Sequence, residues 1–134
     1  MTFHGLNVFA ILVSAISAFA LGGLWYSPRL FGPAWKKANR FASNEPPAAT
    51  AKIFATSFLL SLLMALNLAM FLNDPKTTAI WGATAGFLAG FGWVAMGLGI
   101  VSLFERRPLS YVLVNGAYLT LALVTMGAIL GGWR

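Results

Sequence analysis

The side chains able to do chemistry in this sequence are few, and they stand apart. Its three Asp and Glu supply no paired carboxylates for acid–base catalysis. Glu105 is the nearest candidate acid, but it abuts Arg106 and Arg107, and a local ion pair at a surface is the ordinary use of such a run. The absence of Cys excludes disulfides, thiolate metal sites and cysteine nucleophiles. His4 is the one imidazole, so a single chain cannot assemble a histidine metal cluster. Neither catalysis nor a bound cofactor or metal is expected.

Neutral groups carry more pattern. Tyr111, Asn115, Tyr118, Ala122 and Thr125 follow a four-three-four-three spacing, which lays them along one helix face. An amide facing lipid would lack a partner, so this stripe should face protein or a polar cavity. Asn67 is a second polar position at another depth, about 21 Å along its run where Asn115 is about 9 Å along its own. Such groups serve either as interhelical hydrogen bonds or as a ligand site. Gly82, Gly86 and Gly90 form two overlapping GxxxG units, and Gly127 and Gly131 repeat the device. That spacing lets a second backbone approach closely, whether from the same chain or from a neighbouring subunit.

The elements that hold these residues follow from hydropathy. Of 134 residues, 59% are apolar and 9% charged, where a soluble domain carries about a quarter charged. Four apolar runs, at about 6–26, 53–72, 79–104 and 109–130, each reach the roughly 20 residues that span a bilayer. The expectation is an all-α fold: a single four-transmembrane-helix bundle over 1–134, with no soluble domain attached. The third run would be about 39 Å long as a straight helix. It exceeds a hydrocarbon core of about 30 Å, so tilt or a local break near Gly90, Gly92, Gly97 and Gly99 is expected. The short turn Asn73-Asp74-Pro75-Lys76 predicts that the second and third spans pack as antiparallel neighbours. No Asp, Glu, Lys, Arg or His lies inside a span, which argues against proton-driven transport.

The net charge of +6 would suggest nucleic acid in a soluble domain, but here the basic residues flank the spans and no nucleic-acid role is expected. Arg29, Lys36, Lys37, Arg40, Lys52, Arg106 and Arg107 fall in the connections after spans one and three, and only Lys76 and Arg134 fall on the other side. This bias places both termini outside the cytoplasm. The first run lacks a basic region before it, so it reads as an uncleaved span rather than a secretory signal. Between spans one and two, 27–50 reads as a cytoplasmic interfacial segment. Pro28 and Pro33 break the first helix. A short amphipathic helix over Ala34–Ala42 puts Trp35, Ala38, Phe41 and Ala42 on one face and Lys36, Lys37 and Arg40 on the other. Ser43–Ala49 reads as an irregular linker. Trp25 and Tyr26 suit the membrane interface, Gly32 a tight turn, and Phe31 and Trp35 a segment lying on anionic lipid.

The stretch from Leu24 to Trp35, LWYSPRLFGPAW, resembles the WYSPxLFGxxW motif of a bacterial family called domain of unknown function 1761. Leu103–Pro108, Val114–Tyr118 and Met126–Trp133 resemble that family's C-terminal half. The resemblance implies a four-helix integral membrane protein of the bacterial inner membrane with no assigned activity. A His often follows the Tyr that Tyr118 matches; here Leu119 stands there. The leading expectation is a non-enzymatic protein that packs as a homo-oligomer or as an accessory subunit of a larger membrane complex. The rival is an oligomeric channel or carrier for a small neutral or hydrophobic solute, lined by Asn67, Asn115, Tyr118 and Thr125.

Overall fold

In the computed structural model, which describes residues 5–40 and 51–133, every regular element is helical. Helix α1 (Val8–Trp25) starts where the Asn7 side chain accepts the Ala10 N–H at 3.0 Å. Helix α2 (Gly32–Ala38) has Pro33 in its first turn, where a missing N–H costs nothing. Helix α3 (Ala51–Phe71) leads into a turn in which Asp74 Oδ1 accepts the Lys76 N–H and the buried Thr77 hydroxyl donates to the Leu72 carbonyl. The third span, Ala79–Phe104, opens with Thr78 capping the Trp81 N–H. It consists of α4 (Ala79–Ala89), a π-helical stretch (Gly90–Ala95) and α5 (Met96–Phe104). Helix α6 (Leu109–Gly132) is the fourth span. Four helices are thus long and apolar enough to cross a membrane.

Helix α6 is the hub. Its Gly127 and Gly131 meet Gly82 and the Thr78 carbonyl of the third span, with backbone against backbone. Gly86 lies on the Leu123 carbonyl, and Gly90 lies 2.6 Å (measured from where its Cβ would stand) from Thr120 Cα. Beyond Gly90 the next buried residue of the third span is Ala95, five positions on rather than four, and its methyl faces Gly116. The π-helical stretch supplies that extra residue, so the small-residue seam stays against α6 past the point where an α-helix would rotate it away. The α-helix of the third span is thus interrupted at Gly90 and Gly92, two of the glycines where the sequence allowed a local break, and the interruption is a rewound stretch.

On its other side α6 packs with α1 and α3 around an apolar core that includes Ala10, Ala18, Ala65, Leu68, Met126 and Leu130. Two expectations need correction. The second and third spans, although joined by a short turn, make next to no contact; α3 lies chiefly on α1, and α4 lies on α6. A turn fixes where a chain re-enters the bilayer, whereas the glycine seam fixes which surface the third span seeks. The short helix after the first span covers Gly32–Ala38 rather than Ala34–Ala42. Phe41, Ala42 and the linker at 43–49 lie outside the described residues, as do His4 and Arg134.

Candidate functional site

The chemistry-bearing residues from sequence distant regions meet at one end of the bundle, where α1 runs into the turn 26–31. Pro28 sits in that turn, exposed, and Gly32 closes it by donating its N–H to the Ser27 carbonyl at 3.0 Å. A Cβ on Gly32 would stand 2.6 Å from the Tyr26 carbonyl oxygen and 2.7 Å from that of Ser27, so no other residue fits without opening the turn. The closed turn aims two rings inward. The Trp25 indole N–H donates to the Val114 carbonyl at 3.0 Å, and the Tyr26 hydroxyl donates to Asn115 Oδ1 at 2.6 Å.

Asn115 is occupied on both sides, because its Nδ2 donates to the Tyr111 carbonyl at 3.0 Å. Tyr118, one turn along α6, donates its hydroxyl to the Ala18 carbonyl of α1 at 2.8 Å. Its ring lies over Gly22, where a Cβ would come within 3.0 Å of the hydroxyl oxygen. Ala18 and Gly22 of α1 are thus the floor on which Tyr118 rests. The aromatic rings continue the cluster: Tyr26 meets Tyr118 at 5.4 Å and Trp35 at 5.6 Å edge to face, and Trp25 meets Phe31 at 4.4 Å. Tyr26 stands just past the end of α1, and burial raises its hydroxyl above the ordinary tyrosine pKa, keeping it a donor. The Ser27 hydroxyl is buried without a hydrogen-bond partner among the described residues.

The structure divides the remaining sequence candidates. Thr125 donates back to the Leu121 carbonyl of its own helix at 2.9 Å and takes no part in the cluster. Asn67 is far from it, exposed on α3. Gly82, Gly86, Gly90, Gly127 and Gly131 form the seam within the chain described above. Glu105 lies 3.9 Å from Arg107, whose guanidinium also covers the Tyr111 ring at 5.2 Å. Trp25, Tyr26, Phe31 and Trp35 each touch protein within the cluster, and Phe31 keeps 39% of its surface exposed. Sequence reasoning missed the acceptors, the Val114 and Ala18 carbonyls, because a backbone oxygen carries no residue signature. Among the described residues no group of three potential metal ligands exists.

The profile of a family described as "Protein of unknown function (DUF1761)" matches residues 9–131. The chain belongs to that family. No curated protein and no solved structure matches it. For this DUF1761 member, the motif Trp25–Trp35 and the α6 stripe at Val114, Asn115 and Tyr118 are two halves of one cluster.

Proposed function

We propose that the protein is a non-enzymatic component of the bacterial inner membrane that acts through helix–helix assembly, foremost as a homo-oligomer and otherwise as an accessory subunit of a larger complex. One observation carries this reading. Asn67 lies exposed on α3, about 6 Å from the end of the helix at Phe71, and makes no hydrogen bond among the described residues. Leu60, Leu63 and Phe71 share its helix face at three- and four-residue spacing and are all more than half exposed. An amide in an apolar seam finds its partner in another helix, and in a second copy it meets the same amide across a two-fold axis.

The occupied stripe supports assembly over transport. A carrier would need an open path along Asn115 and Tyr118, and both are engaged by α1 and its turn. The collection of seven basic residues at the α2 end supports placing that end in the cytoplasm and both termini outside. Mass measurement of the protein extracted with its native neighbours tests the reading. A homo-oligomer or a retained membrane partner, lost on Asn67→Leu, is expected. A bare monomer whose mass and neighbours do not change on Asn67→Leu refutes it.

A further inference from the structure

We propose that the cleft between the end of α2 and the α5–α6 turn binds the phosphate of an anionic phospholipid headgroup. The cleft measures about 360 Å³ and is walled by Ala38, Arg40, Glu105, Arg106, Arg107 and Pro108. Three arginines and one glutamate line it, and the glutamate is already beside Arg107. Arg40 and Arg106 have no ion pair among the described residues. Guanidinium groups match phosphate oxygens in a planar, two-point geometry that lysines lack.

Both free arginines stand at the position just past a helix end where the backbone turns left-handed, with φ of 60° at Arg40 and 58° at Arg106. At the α5 end the Arg106 N–H donates to Leu103 and the Arg107 N–H to Ser102, the paired bonds of a closing helix turn that ordinarily takes Gly. A side chain at that position works against stability, so the fold places two cations at the cleft where glycine would be the relaxed choice. The N-terminus of α6 has no side-chain cap and opens beside Pro108 on the same wall. Immediately outside the cleft, Leu103, Phe104 and Leu109 are 78%, 86% and 71% exposed. A basic pocket bordered by an apolar rim is the shape of a headgroup with its acyl chains, not of a free anion. The inference rests on this end lying at a membrane surface and holds whatever α3 assembles with.

Native mass spectrometry from neutral micelles, titrated with phosphatidylglycerol and separately with phosphatidylcholine, tests it. Phosphatidylglycerol should bind preferentially, and Arg40→Gln and Arg106→Gln should each weaken it about fivefold. Lys36→Gln with Lys37→Gln removes twice the charge of either arginine variant from the same end, outside the cleft, and should change it little. Arg106→Gly is the folding control: it should raise the melting temperature in phosphatidylcholine micelles while losing the same phosphatidylglycerol affinity. Equal loss in the lysine pair, or full affinity in Arg106→Gly, overturns the site. Displacement of the lipid by equimolar glycerol 3-phosphate would assign the cleft to a soluble phosphate ester and overturn the lipid proposal.

Discussion

Adding one methyl group at Gly86 measures how much of the bundle depends on its glycine seam. A Cβ there would fall on the Leu123 carbonyl oxygen, 2.6 Å from that carbonyl carbon and 2.9 Å from the Val124 nitrogen. All three atoms are backbone, so no rotamer change relieves the clash and the two helices must part by roughly 1 Å. A gap of that size forfeits roughly a quarter to a half of each van der Waals contact along the seam. Overpacking costs about 1–3 kcal/mol, and a backbone-to-backbone clash belongs at the upper end. Gly97 is the matched control, since nothing lies within 4 Å of its Cβ position. The helix-propensity gain of Ala over Gly is common to both variants and cancels in the comparison. Gly86→Ala should therefore be less stable than Gly97→Ala by about 2–3 kcal/mol. Equilibrium unfolding in mixed micelles, titrated with sodium dodecyl sulfate and followed by circular dichroism, gives the difference directly. Equal stabilities would place the Gly86 face away from α6 and refute the seam.

Other consequences are open to measurement. A double-mutant cycle between Tyr26→Phe and Asn115→Ala should return a coupling of about 0.6–1.7 kcal/mol, the range of interhelical hydrogen bonds in membranes; an uncoupled pair would remove the bond between turn and α6. Because burial raises the Tyr26 hydroxyl above its unfolded value, its contribution is fully present below about pH 10 and is lost as pH rises toward the folded pKa. Melting temperatures across that alkaline range should fall less steeply in Tyr26→Phe than in the parent protein. A reporter active only outside the cytoplasm should work when fused after Arg134, and activity of a cytoplasmic reporter at that position would invert the bundle.

The spans were legible because hydropathy and length are additive properties of a run, and a window of sequence contains all the information they need. The third span's limits match the expected 79–104, and the others differ by a few residues. Which helices touch was less legible. The short turn after Phe71 pointed to α3 beside the third span, yet a turn of that length constrains only the two helix ends. Along the rest of the third span the glycine seam offers closer contact with α6 than α3 could with its Leu side chains. The π-helical stretch was hidden for a related reason. Gly82, Gly86 and Gly90 announce a face, but only the partner surface, Thr120 followed by Gly116, requires the five-residue step to Ala95.

The aromatic motif shows why a site can be located while its partners stay hidden. Trp and Tyr at a helix end satisfy the same sequence rule whether the polar tip reaches water or another helix, since both leave the ring in an apolar layer. What separates the two is the acceptor, and here both acceptors belong to α6, 89 residues away in the chain. The inward choice also accounts for a residue that a lipid anchor does not need. Gly22 must be small for Tyr118 to cross α1, and Gly32 must lack a Cβ for the turn to close over Tyr26. An anchor on lipid would tolerate Ala at Gly22, whereas Gly32 is required by the turn itself, whose Tyr26 and Ser27 carbonyls leave no room for a Cβ. One glycine that closes the turn and one that seats Tyr118 make the motif a clasp that fastens α1 and α2 to α6, and the bundle end that carries the arginine cleft is held in place by that clasp.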